Sequence, residues 1–82
     1  MNNRIDREYC RAFGNHLRKT RLEKGFGMRE FALEADMEYS HLSKIERGET
    51  NPTISTVLAL SSALGISHVD LFNFKFSTKL NK

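Results

Sequence analysis

Tyr39, Ser40, Ser43, Lys44 and Arg47 recur at spacings that place all five on one side of a helix turning 100° per residue. Hydroxyls, an ammonium and a guanidinium are groups for reading a polar partner. The opposite side carries His41, Leu42 and Ile45, which suit packing. Nothing nearby suggests bond-making chemistry. His16, His41 and His68 fall on separate predicted helices, with no Ser, Cys or carboxylate at a useful spacing and no glycine loop to cradle a phosphate, so no enzyme is expected. Cys10 is the single cysteine and no His/Cys spacing suits a metal, so neither a disulfide, a metal nor another cofactor is expected.

The elements that must position this face are all helical. From Asp6 to Lys24, Tyr9, Phe13 and Leu17 recur every four residues, with Asp6 as N-cap and Gly25 as the stop. Gly14 inside that helix costs roughly 1 kcal/mol relative to Ala, which close approach by another element would offset. A second helix is predicted over 28–35, with Gly27 and Glu30 forming half a capping box and Phe31, Ala32 and Ala35 facing inward. Asp36 makes the turn and Met37 the buried hinge.

The third helix runs over 39–47 from Glu38 to the stop at Gly48. Thr53 caps a fourth over 54–64, whose Ile54, Val57, Leu60, Ala63 and Leu64 keep helical spacing. Ser67 and Asp70 open a short fifth helix that ends near Phe72. In the tail, Phe74, Phe76, Thr78 and Leu80 alternate with polar residues, the period of an extended arm. Such an arm either lies back over the first or fifth helix or pairs with a second chain. The expected organisation is a domain over 1–73 containing a helix-turn-helix at 28–47, followed by a tail over 74–82.

With 82 residues the chain makes one small domain, for which oligomerisation is a reasonable expectation. No apolar run of about eighteen residues could span a membrane and no charged-then-apolar leader is recognisable, so a reducing, cytoplasmic setting without membrane contact is expected. Thirteen basic against ten acidic residues give a net charge of +3. Residues 1–24 carry seven basic and three acidic groups, residues 25–50 three and six. Nucleic-acid contact through the central segment therefore depends on placed residues, with the first helix supplying much of the positive field.

From Phe13 to Phe72, the stretches FGNHLRKTRLEKG, REFALEADM, SHLSKIERGETNP and LALSSALGIS resemble the lambda-repressor/Cro-like, or XRE-like, helix-turn-helix regulators. The most specific piece is LSKIERGETNP. The resemblance implies an all-α fold, a compact five-helix bundle in which the third helix enters the major groove of double-stranded DNA. Base contacts would come from Tyr39, Ser40, Ser43 and Lys44; phosphate contacts from Arg21, Gly27, Met28, Arg29, Arg47 and Thr53, with Arg18 and Lys19 at longer range. It also implies a structural ion pair between Arg21 and Glu46.

The sequence departs from the family at the entry points. Gly27-Met28 replaces the usual Ser-Gln, Asp36 a common Gly, Glu49 a frequent basic residue, and Glu38 adds a negative charge. The expected function is sequence-specific DNA binding as a transcriptional regulator, as a homodimer on a two-fold symmetric operator and without a small-molecule effector. Its dimer face would use Leu58, Ile66, Val69, Phe72, Phe74 and Phe76. The alternative is an antitoxin-like or accessory protein-interaction module of the same fold.

Overall fold

Asn3, not Asp6, opens the first helix. In the computed structural model, which describes residues 3–77, Asn3 Oδ1 accepts from Ile5 N–H at 2.7 Å, and α1 runs over Arg4–Glu23. Asp6 lies within the first turn, where a carboxylate suits the positive end of the helix dipole. Both positions satisfy the same preference for Asn or Asp near a helix start, and the earlier cap adds further backbone hydrogen bonds.

The remaining elements are α2 (Met28–Glu34), α3 (Tyr39–Glu46), α4 (Ile54–Leu64) and a 3₁₀ turn at His68–Phe72. The expected fifth helix is thus the tighter form. Its Ser67 side chain accepts from Val69 N–H, and the backbone bonds span three residues, Asp70 N–H to Ser67 at 3.0 Å and Asn73 N–H to Asp70 at 3.2 Å.

All four α-helices end alike. The chain leaves each through a residue in the left-handed region, and the next amide folds back onto the helix: Phe26 to Arg21, Met37 to Ala32, Glu49 to Lys44 and Ile66 to Ser61. Glycine fills that place three times, but α2 uses Asp36, at φ +54°. An Asp Cβ is strained there and glycine is not. Asp36→Gly is therefore expected to raise stability by up to about 1 kcal/mol, less the greater freedom it gives the unfolded chain. A thermal melt reads this directly, and a fall in melting temperature would contradict it.

Phe13 and Leu17 of α1, Phe31 and Ala32 of α2, Leu42 and Ile45 of α3, Leu60 and Leu64 of α4, and Leu71 of the 3₁₀ turn form one buried cluster. Each fully buried aliphatic or aromatic side chain stabilises by roughly 1.5–3 kcal/mol. Gly14 does face another element. A Cβ built there would stand 2.4 Å from the Ile45 carbonyl oxygen and 2.5 Å from that of Glu46, so α1 rests on the last turn of α3.

Three burial assignments are corrected. Ile54 keeps the helical phase of α4 but is 89% exposed, because it is the first residue of the helix and projects past the layer beneath it. His41, at the rim of the packed side of α3, is exposed. His16, which its polar side chain alone assigns to the surface of α1, is half-buried and donates from Nε2 to the Asp70 carbonyl at 2.8 Å.

The tail lies back over α1. Phe74 meets Tyr9 and His16 with ring centroids 5.6 and 5.4 Å apart, and Phe76 meets Tyr9 at 4.9 Å. The alternation persists as half-buried Phe74 and Phe76 against exposed Lys75 and Ser77; Thr78 and Leu80 lie outside the described residues. No helix among the described residues is long and apolar enough to cross a membrane.

Candidate nucleic-acid interface

The candidate face is built by fixing one side of an eight-residue helix, α3, and leaving the other free. Leu42, Ile45 and Glu46 are buried, whereas Tyr39, Ser40 and Lys44 are exposed and Ser43 is half-buried. Glu38 occupies the N-cap position of α3 without a side-chain cap bond, so the first amides of that helix are not closed off by it.

Below this face lies the ion pair that holds it. Arg21 Nε and Nη2 donate to the two Glu46 carboxylate oxygens at 2.6 and 3.0 Å, and Nη1 donates to the Phe26 carbonyl at 2.8 Å. Both side chains are almost wholly buried, at 4% and 5% exposure. Of the two roles expected for Arg21, the structure carries the internal one. Its protein partners and burial leave little guanidinium surface for a phosphate.

The other expected phosphate ligands are arranged variously. Arg29 is exposed and lies over the Tyr39 ring, 4.9 Å from its centroid, which brings a cation from α2 to the start of the candidate face. The Gly27 amide faces its own Glu30 carboxylate at 3.4 Å, and Met28 packs its half-buried side chain against the core. Thr53 Oγ1 accepts from Thr56 N–H at 3.1 Å as the cap of α4. Arg47 is exposed but engaged: Nε and Nη2 donate to Glu49 at 2.8 and 3.1 Å, and Nη1 donates to Ser43 Oγ.

That last network was not foreseen from the sequence, which marks Glu49 only as a missing base. The Glu49 hydrogen bond holds the Arg47 guanidinium above its ordinary range, and the same bond holds the Glu49 carboxyl below its own, with Lys44 adding a smaller pull.

On another face, Leu58 and Val69 are each 62% exposed and Phe72 is 41% exposed. Leu58 and Phe72, with Ile54, Val57 and His68, border a groove of about 310 Å³. Ile66 and Phe74, also expected on a dimer face, pack against the core of the same chain, and Phe76 rests on Tyr9. Phe72 itself meets the Phe13 ring at 5.1 Å. The monomer thus absorbs much of the aromatic tail, because the turn after Phe72 directs it onto α1.

The helix-turn-helix profile HTH_3 matches residues 17–71. The chain belongs to that helix-turn-helix family. It is 40% identical over 58 residues to the uncharacterised HTH-type transcriptional regulator y4dJ of Sinorhizobium fredii, covering 71% of this chain and 75% of that one. It is also 40% identical over 55 residues to the HTH-type transcriptional regulator DdrOP3 of Deinococcus deserti, spanning 67% of this chain but only 43% of that longer relative. Among solved structures, the restriction-modification controller protein C.AhdI from Aeromonas hydrophila is similar with a TM-score of 0.78 and 31% identity, over 79% of this chain and 98% of that one. This membership agrees with the lambda-repressor/Cro-like resemblance.

Proposed function

We propose that the chain is a transcriptional regulator that binds double-stranded DNA in a sequence-specific way, with α3 in the major groove. The observation that supports this best is the division of α3. One side is locked into the core through Leu42, Ile45 and the Glu46 ion pair, while Tyr39, Ser40, Ser43 and Lys44 form a polar row facing away from it. A rigidly held helix with a free polar face fits base-edge reading. Lys44 donates to guanine O6 and N7, the two serines exchange hydrogen bonds with base edges, and Tyr39 meets a thymine methyl or accepts and donates through its hydroxyl. Arg29, steadied on Tyr39, is the cation best placed to contact the DNA backbone and fix the register.

The active form we propose is a homodimer on a two-fold symmetric site. The exposed group Ile54, Leu58 and Phe72 supports it, since these residues line an apolar groove that a monomer leaves wet. Selection of bound duplexes from a random pool tests both parts. A palindromic consensus with half-sites about one helical turn, roughly 34 Å, apart is expected. Failure to enrich any sequence would overturn the reading in favour of a protein-contact module. Lys44→Ala is expected to weaken the selected duplex by roughly tenfold or more and to flatten the preference at one guanine, without changing the melting temperature.

A further inference from the structure

The network at the end of α3 bears on which base edge is read, an inference that rests on the DNA-binding function proposed above. Two edges of the Arg47 guanidinium are already assigned. Nε and Nη2 face both oxygens of Glu49, so the planar group is held in a fork, and Nη1 is thereby aimed at Ser43 Oγ, one helical turn back. Ser43 accepts this bond. A serine hydroxyl has one proton to donate, and in a helix it commonly donates to a carbonyl in the preceding turn. Thr20 does so to His16 and Ser61 to Leu58. The Ser43 hydroxyl has no such acceptor among the described residues, and its proton is left for the solvent side of α3.

We infer that Glu49 is a positioning residue for sequence recognition: by clamping Arg47 against Ser43 it presents the Ser43 hydroxyl to the major groove as a hydrogen-bond donor. The bases that offer an acceptor there are guanine through O6 and N7, adenine through N7 and thymine through O4. Cytosine offers the N4 amino donor, which meets a proton on Ser43 and a guanidinium beside it. The Glu49 charge has a second effect. The fork neutralises Arg47, so Arg47 adds little to non-specific attraction for phosphates. Exposed ion pairs add little to stability, and the function of this one lies in geometry and in charge.

The test compares the full chain with Ser43→Ala and Glu49→Gln on duplexes selected by the wild type, using fluorescence anisotropy at two salt concentrations. Ser43→Ala is expected to flatten the preference at one base pair and so to identify it. Cytosine on the contacted strand at that pair should weaken wild-type binding about fivefold, the loss of a single hydrogen bond. Glu49→Gln should reduce the same penalty to about twofold or less while tightening binding to random duplex, with the salt slope steeper by about 0.9 as Arg47 becomes free for a phosphate. Two results would overturn the inference: Glu49→Gln keeping the full penalty at the pair that Ser43→Ala flattens, or Ser43→Ala flattening no pair. If the wild type enriches no duplex, the DNA-binding function fails first and is recognised as such before either variant is compared.

Discussion

Replacing Glu46 with alanine is expected to cost about 3–5 kcal/mol, out of a total stability of roughly 5–15 kcal/mol for a domain of this kind. The variant leaves the buried Arg21 guanidinium with the Phe26 carbonyl as its only hydrogen-bond acceptor among the described residues, a cation in the interior without its counter-charge. The energy comes from what is stranded more than from what the pair contributes. Removing both charges together, as Arg21→Met with Glu46→Leu, is accordingly expected to be neutral or stabilising. Urea titrations followed by circular dichroism distinguish these variants, because the midpoint should fall sharply for Glu46→Ala and hold or rise for the double variant. DNA binding should fail in Glu46→Ala in step with unfolding. A Glu46→Ala protein that melted like the wild type yet lost binding would assign the pair to recognition instead.

How far such effects can be read in the sequence depends on the kind of geometry involved. A helical wheel gives angle, and the angle of α3 was enough to separate Tyr39, Ser40 and Lys44 from buried Leu42 and Ile45. It says nothing of height along the axis, so Ile54 read as core although its place in the first turn of α4 puts it beyond the neighbouring helices. Caps were legible where one residue alone could serve, as Thr53 does for α4, and ambiguous where Asn3 and Asp6 both could. The Ser43, Arg47 and Glu49 network could not be derived from periodicity. Glu49 stands past the end of α3, and its direction is set by the left-handed turn at Gly48, after which the wheel no longer applies.

Gly14→Ala is the sharpest test of that tertiary geometry, because local preference and packing predict opposite signs. Helix propensity alone favours alanine by about 1 kcal/mol in the interior of α1. The new Cβ, however, would lie 2.4 and 2.5 Å from the carbonyl oxygens of Ile45 and Glu46. These are backbone atoms at the end of a packed helix and cannot swing aside as a flexible side chain would. α1 must therefore retreat from α3, opening the contacts of Phe13 and Leu17 and stretching the Arg21–Glu46 pair carried by the same two helices. Overpacking of this type costs typically 1–3 kcal/mol, occasionally more, and strain in the ion pair places Gly14→Ala at or above the upper end. Gly25→Ala provides the contrast. It has a left-handed φ of +84° but nothing within 4 Å, so it should cost only about 1 kcal/mol. Gly48→Ala combines both penalties, a φ of +73° and the Arg11 Cα at 2.5 Å, and should be at least as damaging as Gly14→Ala. Chemical denaturation should find Gly25→Ala the least damaged, then Gly14→Ala, with Gly48→Ala the least stable or equal to Gly14→Ala. Equal stability of Gly14→Ala and wild type would mean that α1 and α3 stand further apart, and that α3 is fixed mainly by its apolar side chains.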